Sequence, residues 1–319
     1  MAICLVLGGG RFVGRAIANR LVAEGNEVYV LNRGNHPTPK GCKQLIADRN
    51  DPDQLAAALE GLQFDFVYDS SAYTPQQTRL AIQCLVGRVK HFLHISTAAV
   101  YQDTEEFPLT ESSPAGFNKF WGEYGIEKYR CEQELLKSFR EDGFPVTIFR
   151  PFYIYGPGNN LDRETYVFRR LLNNAPIILP GMGRPVIQFG HIDDLVDTLI
   201  DLTGKPESFG EIYNVTGEEA VTMQGWVKKC AEVIGVTPQI FLVEAKEVGY
   251  TPKEWFPFRD IHFFGSIQKL SQQFGLRPRY SLLEGLQQTL EKTSKEYLKQ
   301  SFTPSEVELD ILQKIGASR

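Results

Sequence analysis

Hydrophobic positions in the first half of the chain fall into two alternating patterns. Short apolar runs recur and predict strands buried in a parallel sheet. Between them, apolar residues recur at a spacing of three and four, which predicts amphipathic helices. The predicted strands are Ala2–Leu7, Glu27–Leu31, Gln44–Ala47, Asp65–Tyr68 and His91–Ile95. This alternation predicts an α/β fold with a doubly wound parallel sheet, in which ligands bind beyond the carboxyl ends of the strands.

A glycine-rich turn joins the first predicted strand to the first predicted helix. We expect its residues to bind a nucleotide cofactor, namely Gly8, Gly10, Arg11, Phe12, Val13 and Gly14. Glycine lets the backbone approach a pyrophosphate closely, and the free N–H groups and dipole of the helix N-terminus favour its negative charge. The alternative is a tight turn without a ligand. Arg11 stands where a Gly-x-x-Gly-x-x-Gly pattern has its middle glycine, so it could cap the diphosphate or partly block the site.

Polar residues follow the next predicted strands and are candidates for the same cofactor site. They are Asn32, Arg33, Asp48, Arg49, Ser70 and Ser71. An acidic residue after the second strand hydrogen-bonds the ribose 2′-hydroxyl of NAD, whereas a basic residue accommodates the 2′-phosphate of NADP. Asn32 and Arg33 therefore favour NADP over NAD, unless Arg33 is only an exposed loop charge. Asp48 could accept a hydrogen bond from the adenine amino group, or it could cap the helix that starts near Pro52.

The candidate catalytic residues are Tyr124, Lys128 and Thr97. Tyr124 and Lys128 are four residues apart at the start of a predicted helix, so they share one face and the ammonium can stabilise the phenolate. A tyrosine whose pKa falls from about 10 towards neutrality can act as an acid and a base. Thr97, after the fifth strand, could hold a substrate hydroxyl or carbonyl. The alternative is a surface tyrosine with a solvated lysine, but the upstream glycine turn makes Tyr-x-x-x-Lys more specific.

Bulk composition limits the classes of function that fit this chain. Its 319 residues and 42% hydrophobic content suit one large or two modest domains, and a net charge of −5 gives no general attraction to nucleic acid or an anionic membrane. Five cysteines without Cys-x-x-Cys spacing indicate reduced thiols, so we expect neither a metal nor disulfides. The first strand begins at residue 2 and no apolar run approaches membrane-spanning length. We expect a cytoplasmic protein without a targeting peptide.

The chain resembles the extended short-chain dehydrogenase/reductase family, the NAD(P)-dependent sugar epimerases and dehydratases. The shared segments are the glycine turn, Ser96-Thr97, Tyr124 with Lys128, Arg150–Gly158, His191–Leu195 and Tyr213–Val215. The resemblance implies that Pro151 lies beside the nicotinamide ring, that Lys128 also holds the cofactor, and that the helix bearing Tyr124 forms a homodimer. It also implies two discontinuous domains. These are a Rossmann domain of residues 1–150 plus about 183–215 and a smaller α/β substrate domain of about 151–182 plus 216–300, followed by a tail of 301–319.

A second resemblance is to the chloroplast stem-loop-binding proteins and their cyanobacterial relatives, described as RNA-binding endoribonucleases on a dehydrogenase scaffold. The shared segments are Gly9–Gly14, Gln188–His191, Phe256–Asp260 and His262–Phe264. The resemblance implies RNA as an alternative partner. The chain keeps the Tyr-x-x-x-Lys pair and shows no transit peptide, so we expect a bacterial or cyanobacterial relative that has kept the dehydrogenase machinery.

One departure from the epimerase pattern narrows the substrate. Sugar-nucleotide epimerases place an arginine about four residues before the match to His191 to bind the substrate diphosphate, and here that region reads Val186-Ile187-Gln188. A plain UDP-sugar is therefore less favoured. We expect an NAD(P)-dependent oxidoreductase, epimerase or dehydratase acting on a hydroxyl or carbonyl of a small, sugar-derived substrate, with an RNA-binding protein or endoribonuclease as the alternative. We also expect an amphipathic helix around Leu283–Leu298.

Overall fold

In the computed structural model, which describes residues 1–300 and 302–317, strands and helices alternate along the N-terminal half as the apolar pattern predicts. These elements are β1 (Ile3–Leu7), α1 (Phe12–Ala23), β2 (Glu27–Asn32), β3 (Lys43–Ile46), α2 (Pro52–Leu59), β4 (Phe66–Asp69), α3 (Pro75–Leu85), β5 (His91–Ile95), α4 (Gly122–Asp142) and β6 (Val146–Pro151). Three later elements belong to the same compact unit: α6 (Ile192–Leu202), β10 (Ile212–Val215) and α9 (Gln268–Phe274).

Within the described residues, this first unit is built on a seven-stranded sheet in the order β10-β6-β5-β4-β1-β2-β3, and every neighbouring pair is parallel. The chain moves outward from β1 through β2 to β3, then returns to β4 on the other side of β1. Strands β5 and β6 are buried along their whole length. The predicted doubly wound parallel sheet is confirmed, and its switch point lies between β1 and β4, where ligands bind in folds of this type.

The second compact unit is smaller and mixes short strands with helices. Its elements are β7 (Tyr153–Tyr155), α5 (Glu164–Leu172), β8 (Ile177–Pro180), β9 (Val186–His191), β11 (Ala220–Thr222), α7 (Met223–Ile234), β12 (Ile240–Val243), α8 (Ala245–Val248), α10 (Leu282–Lys292), α11 (Lys295–Lys299) and α12 (Glu306–Lys314). Its sheets have the orders β11-β9-β7 and β12-β8. The core is aromatic: the rings of Phe189 and Trp226 stack with centroids 3.7 Å apart. Such ring packing contributes beyond buried area alone.

The expected domain boundaries differ from these units in two places. The first unit contains 1–152, 192–216 and 265–277, and the second contains 153–191, 217–264 and the residues from 278 onwards. Residues 183–191, expected in the first domain, lie in the second because β9 pairs with β7 and β11. Residues 265–277, expected in the second, lie in the first because Lys269 donates to the Ile212 carbonyl of β10 at 2.9 Å.

The C-terminal region also departs from expectation. The single helix expected at Leu283–Leu298 is two helices, because α10 ends at Lys292 and the Ser294 side chain caps α11. The expected tail is structured where it is described: Glu308 of α12 is buried and pairs with Arg170 at 2.5 Å. Residues 301, 318 and 319 of that tail lie outside the described residues. Among the helices that the structure describes, none has the length and hydropathy needed to cross a membrane.

Candidate active site

The glycine turn packs directly against the residues that follow β4. Gly8 has a φ of +93°, and a Cβ on it would lie 2.4 Å from the Ser71 Cβ. A Cβ on Gly14 would lie 2.4 Å from the Gly8 carbonyl oxygen and 2.6 Å from the Ser70 Oγ. These approaches leave no space for larger residues. The structure therefore brings four of the predicted cofactor residues together at the carboxyl edge of the sheet.

The turn leads into α1 through a strained backbone. Arg11 is the N-cap residue, its exposed side chain makes no capping hydrogen bond, and the first turn of α1 carries no acidic residue. Phe12 has a φ of +30°, which is unusual for a residue with a side chain. Gly10 precedes these two residues, and Val13 follows them in the first turn of α1. A helix N-terminus without a side-chain cap, entered from closely packed glycines, fits the phosphates of a dinucleotide.

The residues after β2 and β3 divide into an exposed cation and two hydrogen-bonded side chains. The Oδ1 of Asn32 accepts from the Gly34 N–H at 2.7 Å and from Gln44 at 3.1 Å, while Arg33 is exposed. The Asp48 carboxylate accepts from the Asn50 N–H at 2.9 Å, which lowers the pKa of Asp48. Asp48 does not cap α2, so that alternative is wrong.

The cap of α2 is Asp51, whose carboxylate accepts from the Asp53 and Gln54 N–H groups. Asp48 therefore lies beyond the end of β3, and the nearby Asp51 caps α2. The interpretation of Asp48 as an acceptor for adenine stays a prediction.

Arg49 turns inward instead of towards solvent. Its guanidinium pairs with both carboxylate oxygens of the fully buried Asp69, at 2.6 and 2.9 Å, and donates to the Ser71 Oγ at 2.7 Å. A bidentate pair of this kind is geometrically specific. Although burial alone would raise the pKa of Asp69, the Arg49 charge holds it well below its usual range. Arg49 therefore links the chain after β3 to the end of β4, and Ser71 contacts both its guanidinium and the glycine turn.

Lys128 is the most deeply enclosed of the predicted catalytic residues. Its Nζ donates to the Ala72 carbonyl at 2.8 Å and to the Ile95 carbonyl at 2.7 Å, and the Nε2 of His94 lies 3.5 Å away. The side chain is buried, and burial lowers the pKa of Lys128. The two carbonyls follow β4 and end β5, so the ammonium is fixed at the carboxyl edge of the sheet.

Tyr124 and Thr97 lie on the elements that meet beside this lysine. Tyr124 is one helical turn before Lys128 on α4 and is 44% exposed, whereas Lys128 is buried. A Cβ on the next residue, Gly125, would lie 2.5 Å from the Ala99 carbonyl oxygen, so α4 approaches the 3₁₀ turn Ala98–Val100 closely. The buried Thr97 is the N-cap of that turn, and its Oγ1 accepts from the Ala99 N–H at 3.2 Å.

A second buried polar network supports this region and was not foreseen from the sequence. Glu132 accepts from the Ser96 Oγ at 2.5 Å and from Arg150 at 2.6 and 3.0 Å. The Arg150 guanidinium lies 4.8 Å from the centre of the Tyr101 ring, and the Tyr101 hydroxyl donates to Asn214 at 2.6 Å. Two signals were present: Glu132 is four residues after Lys128, and Ser96 adjoins Thr97.

Pro151, predicted to lie beside the nicotinamide, is the last residue of β6. It is buried and pairs with Val215 of β10. It thus lies at the same carboxyl edge as Lys128 and the glycine turn. A contact with the cofactor stays a prediction.

These features define a dinucleotide-binding protein of the Rossmann type, with a glycine turn at the switch point of its sheet. The model of the NAD-dependent epimerase/dehydratase family matches residues 4–216, and the chain belongs to this family. Family membership identifies it as an enzyme of the NAD-dependent epimerase or dehydratase class. The expected resemblance to the extended short-chain dehydrogenases is confirmed.

Individual relatives agree with the family and the fold. The chloroplast stem-loop binding protein of 41 kDa b from Arabidopsis thaliana is 32% identical over 298 residues, which cover 88% of this chain and 76% of that protein. An uncharacterised UDP-glucose epimerase of Bacillus subtilis is 26% identical over 92% of this chain and 98% of its own length. The structure of a UDP-glucose 4-epimerase from Thermotoga maritima superposes with a TM-score of 0.78 at 20% identity, covering 91% of this chain and 98% of that one.

Proposed function

We propose that Thr97, Tyr124 and Lys128 catalyse proton transfer at a hydroxyl or carbonyl group of a small, sugar-derived substrate, in an epimerase, dehydratase or reductase reaction. The observation that carries this proposal is the fixed Lys128 ammonium, held by the Ala72 and Ile95 carbonyls one helical turn after Tyr124. A bound nicotinamide would supply the hydride acceptor and donor. The protein's own contribution is to orient the substrate oxygen and to give or take its proton.

Each of the three residues has a distinct part in this proposal. Tyr124 gives or takes the proton of the substrate hydroxyl, because its exposed side chain is accessible to a ligand. The positive charge of Lys128 would stabilise the Tyr124 phenolate, and its ammonium would hold the cofactor ribose. Thr97 would orient the substrate oxygen from the other side, since its hydroxyl can donate while accepting from Ala99.

We also propose which residues bind the cofactor. Gly8, Gly10, Gly14, Ser70 and Ser71 would line the diphosphate, where the α1 N–H groups are directed. Among the described residues, the Nδ2 of Asn32 is a buried donor without a hydrogen-bond partner, while its Oδ1 is already engaged. A donor beside the exposed Arg33 suits the oxygens of a 2′-phosphate. Within this NAD-dependent family, we therefore propose that the chain prefers NADP.

The substrate is narrowed by what replaces the epimerase arginine. Gln188 is buried in β9, and its amide donates to the Gly217 carbonyl at 2.6 Å, so this side chain supports the fold of the second unit. The UDP-sugar epimerases among the relatives still make a sugar-derived substrate the best match. We propose a substrate whose recognition does not depend on a phosphate clamp at this position.

Tyr124→Phe tests the catalytic proposal. We expect turnover on a panel of carbonyl and sugar-nucleotide substrates to fall about 10²- to 10⁴-fold, because a general acid and base is removed. The matched control is Tyr73→Phe, since Tyr73 is exposed and its ring lies 6.5 Å from that of Tyr124. Activity that survives Tyr124→Phe and falls with Tyr73→Phe would contradict the assignment.

An RNA-binding or endoribonuclease function is the second candidate, and one observation favours it: the stem-loop binding relative from Arabidopsis. The same two variants discriminate the candidates when cleavage of a structured RNA is measured in parallel. Cleavage that is unchanged by Tyr124→Phe, with no redox turnover on the panel, would favour the RNA function.

The cofactor preference is tested by Arg33→Ala. We expect NADP affinity to fall about tenfold and NAD affinity to stay the same, because the charge contacts only the 2′-phosphate. Calorimetric titration of both cofactors measures this, and Lys40→Ala removes an exposed cation from the same loop as the control. Equal affinity of the unaltered protein for NAD and NADP would refute the preference alone.

A further inference from the structure

Four buried side chains from successive elements form a chain of contacts that ends at Lys128. Arg49 pairs with Asp69 at 2.6 Å, and the Asp69 Oδ2 lies 3.9 Å from the Nδ1 of His94. The Nε2 of the same imidazole lies 3.5 Å from the Lys128 Nζ. All four side chains are at least nine-tenths buried. The imidazole therefore lies between a carboxylate and an ammonium, one on each ring nitrogen.

This position determines where His94 carries its proton. An ammonium only donates, so the Nε2 that faces Lys128 must be the unprotonated acceptor. The proton then lies on Nδ1, which faces the Asp69 carboxylate at 3.9 Å, beyond hydrogen-bond distance. The ammonium thus has the Ala72 and Ile95 carbonyls as close acceptors, and neutral His94 is a more distant third acceptor at 3.5 Å.

The surroundings keep His94 neutral. Burial and the charge of Lys128 lower the pKa of His94, and they outweigh the opposite effect of Asp69 and Glu132. The carboxylate of Asp69 is already paired with Arg49, which weakens its attraction for a second proton. Cys131, a titratable neighbour on α4, stays a thiol because burial raises its pKa. Glu132 is paired with Arg150.

We propose that His94, which lies beside the Asp69–Arg49 pair, is a positioning residue that places the Lys128 ammonium for the catalytic site. Neutral His94 accepts from the ammonium and steers it towards the carboxyl edge of the sheet, whereas protonated His94 repels it. The inference rests on the proposed function of Lys128, since the consequence of correct placement is cofactor binding and activation of Tyr124. Cofactor binding should therefore weaken when His94 is protonated.

His91 on the same strand provides a matched control. It is equally buried, but its Nε2 faces the Thr147 hydroxyl at 2.8 Å and its Nδ1 accepts from the Gly204 N–H at 3.0 Å. Three residues apart on one strand, the two histidines face opposite sides of the sheet. Only His94 contacts the Asp69 and Lys128 side.

The first measurement does not depend on the proposed function. In protein labelled with ¹⁵N-histidine, the ring nitrogens of His94, assigned with His94→Gln, should show a neutral imidazole protonated on Nδ1 at pH 7. Lys128→Met should raise the pKa of His94, because a neighbouring positive charge is removed. A proton on Nε2 at pH 7, or a His94 pKa that Lys128→Met leaves unchanged, would overturn the proposal.

The second measurement is calorimetric titration of NAD and NADP from pH 5 to pH 8. His94→Leu, which removes the acceptor, should weaken binding about tenfold, as expected for one hydrogen bond to a charged group. His94→Gln supplies an amide oxygen instead and should restore most of the affinity. Because burial holds the pKa of His94 below its usual value, the loss of binding that its protonation causes should appear only well below pH 6.5 and should be absent from His94→Gln. His91→Gln should leave the affinity unchanged.

The outcomes separate the two proposals. If wild-type protein and His94→Leu bind the cofactor with equal affinity, the role of His94 is overturned and the proposed function stays intact. Wild-type protein that binds neither cofactor would overturn the proposed function, while the ring-nitrogen spectrum still decides whether His94 and Lys128 are coupled. Cofactor binding that is weakened in His94→Leu and close to the wild-type affinity in His94→Gln would support both proposals.

Discussion

Asp69 in the first unit and Glu164 in the second are both completely buried carboxyl groups, yet their pKa values are shifted in opposite directions. Asp69 lies against the Arg49 guanidinium, which holds its pKa well below the usual range. Glu164 accepts from the Gly156 N–H at 3.1 Å and from the Asn159 amide at 3.0 Å, and burial raises its pKa to about 7. Burial is shared, so the difference lies in the partners.

The comparison shows that neutral hydrogen-bond donors do not compensate the charge of a buried carboxylate. Amide donors satisfy the oxygens of Glu164 but leave most of the cost of burying its charge uncompensated. The Arg163 guanidinium, which donates to the Ile154 carbonyl at 3.2 Å, offsets that cost only in part. A directly paired guanidinium compensates the charge and keeps Asp69 ionised. The first unit thus carries a permanent buried charge, and the second a carboxyl group that titrates near neutrality.

The largest effect is expected when the Asp69 pair is broken. Arg49→Met leaves the carboxylate buried without its cation, which should reduce the free energy of unfolding by about 3–5 kcal/mol at pH 7. Chemical denaturation measures this loss. The loss should shrink at acidic pH, where the variant can protonate Asp69 at lower cost.

The double variant Arg49→Met with Asp69→Asn is the matched control, because it removes both charges together. It should recover a large part of the lost stability. If Arg49→Met alone costs less than about 1 kcal/mol, the contrast between the two carboxyl groups does not depend on pairing.

A smaller effect is expected from the titration of Glu164. Its pKa is raised from 4.5 to about 7, so the folded state holds the proton more tightly than the unfolded state. Stability is therefore highest below pH 4.5 with respect to this group and falls as the pH rises to about 7, by about 3 kcal/mol in total. Glu164→Gln should remove this loss, and urea unfolding at several pH values measures it.

The difference between wild type and Glu164→Gln isolates this group, because both proteins share the buried histidines. Burial lowers the pKa of His91 to about 3, so its contribution to stability has the opposite sign, rising with pH up to about 6.5. Parallel stability profiles for wild type and Glu164→Gln between pH 4.5 and pH 7 would show that Glu164 does not titrate in that window.

The smallest effect tests the neutral donors themselves. Asn159→Ala removes an amide that donates to Glu164 and should cost about 1 kcal/mol, more at pH 8, where the carboxylate is charged, than at pH 5. Denaturation at both pH values measures the difference. Asn173→Ala removes an exposed amide that donates to the Arg169 carbonyl and should show no such pH dependence. A loss of equal size at both pH values would mean that the amide does not sense the charge.

Much of the first unit could be predicted from local sequence. Strands such as β5 are short apolar runs, and the helices between them show apolar residues at a spacing of three and four. The glycine turn was recognisable because Gly8 needs a positive φ and Gly14 needs close contact, two demands that few other residues meet. Boundaries between the units were less predictable. The unit to which β9 or α9 belongs depends on contacts with strands that are distant in the chain.

The sequence by itself determined which residue types reach the carboxyl edge of the sheet: the glycine turn, the Tyr-x-x-x-Lys pair on one helix face, and the polar residues after the strands. Only the tertiary structure decided their partners. Arg49 looked like a cofactor ligand but pairs with Asp69, and His94 lies between Asp69 and Lys128. These contacts join residues far apart in the chain, so they depend on strand order and inter-element distance, which no local pattern of hydrophobic and polar residues specifies.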